Sequence, residues 1–193
     1  MKKYLCTAIT FIILMIQFQL KAQSGKAGIF INADHYVQHK LSYGIEKINK
    51  KNKLVLHSVL GASTISIITN GKEIVFKKHD IFGYRANGKD YRLENGNAFS
   101  IIDTSDFFVY SKIRIVPLLK WHQEKITDYY FSSSINSMIE PLKKYNIENT
   151  FSDNQQFDLY LNNSFKTDEE LMTYDKKIKK YKLKYLYEEF KKH

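Results

Sequence analysis

The chain has 193 residues, two prolines, one cysteine and a formal net charge of +10. Its cysteine, Cys6, lies in a segment expected to be removed, so the mature chain can form no disulfide, thiolate metal site or cysteine nucleophile. The basic excess favours anionic partners, although it serves solubility equally well.

Residues 1–22 have the three parts of a secretory signal peptide: a positive start at Lys2 and Lys3, an apolar run from Leu5 to Ile16, and a cleavage site between Ala22 and Gln23. The apolar run falls short of the ~20 residues a spanning helix needs, which leaves an uncleaved anchor as the alternative. Cys6 lies at the start of the apolar run rather than after it, which argues against lipidation. Cleavage would remove Lys2, Lys3 and Lys21 and lower the formal charge from +10 to +7. The expected product is periplasmic or extracellular, with no transmembrane span after cleavage. Its expected partner is an anionic envelope component or another envelope protein rather than nucleic acid. Residues 23–193 suit one α+β domain with its own core, with strands mainly over 29–133 and helices mainly over 136–192.

In chain order, GIFINADHYVQHKLSYGI reads as a strand, a helical turn capped by Asn32 or Asp34, and a second strand. From Lys53 the runs KLVLHSVL, STISIIT, KEIVFKK, IFGYRA, KDYRL, AFSIID and FFVYSKIRIV are β-branched and aromatic, and a further run, ITDYYFSSS, is expected to close the sheet. Asn70-Gly71, Asn87-Gly88 and Asn95-Gly96 punctuate these runs, and Asn-Gly is a strong hairpin signal because a type I′ turn needs two positive φ angles. The expected fold is an antiparallel meander of about seven strands or more, a sheet or incomplete barrel, followed by C-terminal helices. Ser152 with Gln155 and Thr167 with Glu170 have capping-box spacing. The second box is expected to open the longest helix, with Leu171, Tyr174, Ile178, Tyr181 and Tyr185 as its buried stripe.

The stretch HDIFGYRANGKDYRLENG, His79 to Gly96, gathers the most functional groups. A two-residue turn at Asn87-Gly88 sets Tyr84 opposite Tyr91, Arg85 opposite Asp90 and Gly83 opposite Arg92. Opposed residues share a face and faces alternate. Phe82, Tyr84, Tyr91 and Leu93 therefore belong to an apolar face, and Arg85, Asp90 and Arg92 to a solvated face with a cross-strand ion pair. By the same rule Ile65, Ile67, Ile74 and Phe76 share a face of the Asn70-Gly71 hairpin. At Asn95-Gly96 either the loop is longer or the sheet is buried on both sides.

Few chemistries are written in the motifs. His35 and His39 stand four apart, as zinc ligands on one helical face do, but no adjoining Glu or third ligand follows; no cofactor or metal is expected. His79 and Asp80, as neighbours on a strand, should point to opposite faces. No nucleophile elbow, phosphate-binding loop or dinucleotide-binding glycine pattern occurs. Trp121 is expected in a loop, covering the core or stacking on a ligand. The C-terminal run YDKKIKKYKLKYLYEEFKKH reads as a helix with one packed face and solvated lysines. Candidate binding residues are Arg85, Asp90, Arg92 and Trp121, and no catalytic residue is singled out.

KKHDIFGYRANGKDYRL, DYYFSS and FKTDEELMTYDKKIKKYKLKYLYE, together with the signal ending KAQ and the Lys/Asn/Ile/Tyr-rich composition, resemble a group of small uncharacterised secreted proteins of the Bacteroidota. The resemblance implies export and a shared domain; it supplies no activity and no site residues. The expected function is that of an exported, non-catalytic binding or envelope-associated protein. The alternative is an exported hydrolase acting on a glycan or other envelope polymer, whose paired carboxylates can be remote in sequence.

Overall fold

A computed structural model describes residues 27–57, 62–117, 123–152 and 155–192. The chain divides into two compact units, one ending at Asn97 and the other beginning at Ala98.

In the first unit, strand β1 (Ala27–Phe30) leads into the short helix α1 (Ala33–Val37) and strand β2 (Tyr43–Ile45). Asn32 caps α1, its side-chain oxygen accepting the His35 N–H at 2.9 Å. Strands β3 (Lys53–Leu56), β4 (Thr64–Thr69) and β5 (Lys72–Lys77) form a separate three-stranded sheet with β4 in the middle. Strands β6 (Gly83–Ala86) and β7 (Lys89–Glu94) then form the hairpin anticipated from Asn87-Gly88. Asn70, Gly71, Asn87, Gly88, Asn95 and Gly96 all have positive φ, as type I′ turns require. The register is the expected one in both hairpins, with Ile65 opposite Phe76, Ile67 opposite Ile74 and Tyr84 opposite Tyr91. The meander is interrupted, however: β1 pairs with both β2 and β6, so the N-terminal strand lies beside β6 rather than at one end of a continuous run.

In the second unit, β8 (Asn97–Asp103), β9 (Phe108–Pro117), β10 (Gln123–Ser132) and the two-residue β11 (Glu140–Pro141) succeed one another, followed by helices α2 (Lys144–Thr150) and α3 (Gln155–Ser164). Val109 and Phe131, paired across β9 and β10, open a core completed by Phe107, Leu142, Ile147, Phe157, Leu161, Phe165, Leu171 and Leu183. The opposite face of the same strands carries Tyr110, packed with Phe99 and Ile139, its hydroxyl 2.9 Å from the Ser132 hydroxyl. The strands run β7-β6-β1-β2 in the first unit and β11-β10-β9-β8 in the second, antiparallel within each, and the helices are mostly C-terminal. The fold is α+β, and the sheet does not close into a barrel.

The expected long helix after Thr167 does not form. Asp168–Met172 is a single 3-10 turn, Tyr174–Asp175 (β12) pairs with Lys180–Tyr181 (β13), and only Lys182–Phe190 (α4) is helical. Asp175 diverts the chain: its carboxylate accepts the Lys177 N–H at 2.8 Å, Lys179 takes a positive φ, and the Tyr174 and Tyr181 rings meet edge to face at 5.2 Å. Glu170 does not close a box on Thr167. It accepts the Lys166 N–H at 2.6 Å instead. The other box, Ser152 with Gln155, falls partly outside the described residues.

Candidate functional site

The His79–Gly96 stretch brings three of the four candidate residues together. The Arg85 guanidinium grips Asp90 through two bonds of 2.6 and 2.8 Å, and Arg92 on the same face bonds Glu94 at 3.0 Å. The face is not solvated as expected. Arg92 is 6% exposed, and the Arg85 and Asp90 side chains are 16% and 18% exposed. Aromatic rings cover them: Arg85 lies 5.5 Å from the Phe30 ring centre and Arg92 5.9 Å from that of Phe82. Phe82 precedes the first residue of β6 and so escapes strand alternation. Its ring leaves the Tyr84 face and packs at 5.3 Å against Tyr36 of α1, which also meets Phe30 at 5.4 Å. Hydrogen bonding to Asp90 raises the Arg85 pKa. On the other face Tyr84 stacks on Tyr91 at 4.7 Å, and burial pushes the Tyr84 hydroxyl up to about 12.

The question left open at Asn95-Gly96 is answered by burial on both sides, since Arg92 and its neighbour Leu93 are both buried. Trp121 lies outside the described residues. His39 falls beyond the end of α1 with a positive φ, so it does not share a helical face with His35. Among the described residues no cluster of His, Cys, Asp and Glu is arranged to hold a metal ion. His79 and Asp80 do touch, contrary to expectation, at 3.1 Å: β5 stops at Lys77, and a 3-10 turn replaces the alternation that would have parted them. Both are largely exposed, which leaves the contact solvated.

Lys184 was expected among solvated lysines and is 1% exposed. Its ammonium donates to the carbonyls of Ser105 and Phe107, lies 3.6 Å from Asp103 and sits 3.6 Å from the Phe107 ring centre. Two turns along α4, Lys191 bonds Asp106 at 2.8 Å, so one helical stripe holds the β8–β9 connection at two points. Burial lowers the Lys184 pKa from 10.5 to about 8, against the opposing pull of Asp103.

An open concavity lies elsewhere, in the second unit. A cleft of about 560 Å³ runs along β10 and is lined by Thr127 to Tyr130, by Pro141 to Lys143, and by Asp168, Glu169 and Met172. It exists because the chain turns out of β11 into α2 and the 3-10 turn at Asp168–Met172 returns to flank the gap. Asp168 fixes that turn by accepting the Lys144 N–H, at 2.9 Å, in place of a side-chain cap on α2. Three carboxylates thus reach one cleft, and each is held as an acceptor. Arg114 makes two bonds to Asp128, of 2.9 and 3.2 Å, and lowers its pKa. The Thr167 hydroxyl and its own backbone N–H lower that of Glu169. No sequence motif marks this cleft, because its walls lie some forty residues apart.

The chain matches no protein-family model, no curated protein and no solved structure.

Proposed function

We propose that this chain is an exported, envelope-associated protein that binds a partner without transforming it. The signal-like residues 1–22 support export. The observation that carries the binding reading is the state of the cleft. Glycoside hydrolysis needs one carboxyl whose pKa is raised so that it can protonate the leaving group. Asp128 and Glu169 are shifted the opposite way, and Asp168 is occupied at a helix start. Such a cleft offers fixed acceptors and half-buried tyrosines, which suits recognition of donors and cations.

Two measurements on the purified mature chain test the reading. Incubation with isolated envelope polymer should release no new reducing ends or soluble fragments, while the chain co-sediments with the envelope fraction. Fragment release that is lost in Asp168→Asn or Glu169→Gln would overturn it in favour of the hydrolase.

A further inference from the structure

β10 is ten residues long, but its outer neighbour β11 pairs with only two of them, Tyr130 with Pro141 and Phe131 with Glu140. One more bond follows, from the Leu142 N–H to the Tyr129 carbonyl at 2.9 Å, and the chain then leaves for α2. The Tyr129 carbonyl therefore points away from β9. Backbone directions repeat every second residue, so Thr127 and Lys125 present both N–H and C=O to that same outer side. Both prolines agree with this phase: Pro117 faces Gln123 and Pro141 faces Tyr130, each where no ladder bond needs its missing N–H. Among the described residues, no strand covers the outer side of Gln123–Asp128.

The surroundings of this edge are selective. Ile113 and Ile115, the cross-strand partners of Thr127 and Lys125, share their face and are 63% and 56% exposed. The cleft begins where β11 stops; with Asp128 paired to Arg114, its lining sets Asp168 and Glu169 against one amine, Lys143, on a chain of net charge +10. A uniformly basic surface would repel a basic segment; this locus attracts one.

We propose that the outer edge of β10 receives an extended, basic segment of a partner polypeptide as an added strand. Thr127 and Lys125 supply the backbone bonds. Asp168 and Glu169 receive its lysine or arginine side chains on the face shared with Ile113 and Ile115, and its alternate, apolar residues take the other face. The proposal rests on the reading of this cleft as a binding site and names the class of partner.

The probe is an acetylated, amidated eight-residue peptide of alternating lysine and valine, titrated onto the mature chain. It should bind at least tenfold more tightly than its glutamate–valine counterpart and slow amide exchange at Thr127 and Lys125. Glu169→Gln should weaken it several-fold. Thr127→Pro, which removes an outward N–H and keeps the pairing with β9, should abolish binding. The lysine–valine peptide N-methylated at every residue should not bind, a result that holds even if the proline variant fails to fold. Absence of binding, equal binding of the glutamate peptide, or undiminished binding of the N-methylated peptide would overturn the proposal. So would dimers in sedimentation with those two amides already protected, since a second copy would then occupy the edge. If the peptide fails while the chain still co-sediments with envelope, this proposal falls and the binding reading stands. Fragment release would reject that reading itself.

Discussion

Replacing Lys184 with methionine keeps most of the side-chain volume and removes the amine. The folded chain holds this amine at a pKa of about 8, against 10.5 for an unhindered lysine. At about 1.4 kcal/mol per tenfold change in proton affinity, that difference corresponds to roughly 3 kcal/mol of penalty on the charged, folded form. The sign follows from proton counting. Between pH 8 and 10 the unfolded chain keeps the proton that the folded chain has released, and stability rises wherever the unfolded state binds more protons. Urea melts of the wild type should therefore gain up to about 1.4 kcal/mol per pH unit over that window.

Above pH 10 the tyrosines reverse the trend. Tyr84 ionises near 10 when unfolded and near 12 when folded, so raising the pH there favours unfolding. Tyr181 and Tyr187 are pushed up as well and act in the same direction. The difference between wild type and Lys184→Met cancels these contributions. It should leave a slope confined to pH 8–10, measured by circular dichroism at fixed ionic strength. Parallel profiles for the two proteins would refute the reasoning: the ammonium would then be as comfortable among the Ser105 and Phe107 carbonyls as in water.

Tyr84→Ala removes a buried ring stacked on Tyr91 and should cost about 3 kcal/mol or more in denaturant melts. Arg85→Ala should cost about 2 kcal/mol rather than the fraction expected of a surface pair, and a double-mutant cycle with Asp90→Ala giving under about 0.5 kcal/mol of coupling would show that the face is solvated after all. Gly83→Ala should destabilise as much as a core truncation, because its Cβ would collide with the Tyr91 carbonyl oxygen; a melting temperature within a degree of wild type would contradict that packing. Mass spectrometry of cell fractions should find Gln23 as the N-terminus outside the cytoplasm, and an intact Met1 confined to the soluble cytoplasm would refute export.

The hairpins were legible because Asn-Gly carries its geometry locally. Positive φ at Asn87 and Gly88 fixes the turn, the turn fixes the register, and the register fixes which residues oppose one another. Solvation of a face is not local information. The Arg85 side would be wet in an isolated hairpin; it is dry because β1 places Phe30 beside Gly83, and α1 carries Tyr36 over it. The mistaken long helix has a comparable origin. The spacing of Leu171, Tyr174, Ile178 and Tyr181 suits a helix, but the Asp175 carboxylate offers the backbone a turn, and such local side-chain bonds compete with helix on equal terms.

The cleft and Lys184 were illegible for a deeper reason. Of eight lysines between Lys176 and Lys192, one is buried, and nothing in its neighbours along the chain distinguishes it. The choice is made across nearly eighty residues by the Ser105 and Phe107 carbonyls, to which the Lys184 ammonium donates where α4 packs over them. The open edge of β10 is likewise a property of what fails to accompany it. The run of strand-forming residues says that β10 exists; only the departure of the chain at Leu142 decides that its outer side has no neighbour, and only the return of Asp168 to cap α2 decides that carboxylates stand beside the gap. A single contact, Asp168 to the Lys144 N–H, thus fixes both the start of a helix and the wall of the cleft. In Asp168→Ala, the loss of that cap, about 1 kcal/mol, should accompany a weakening of peptide capture beyond the one lost charge, because the wall bearing Glu169 is released with it. A variant that loses stability and keeps its full affinity would separate the two roles and place the recognition on β10 alone.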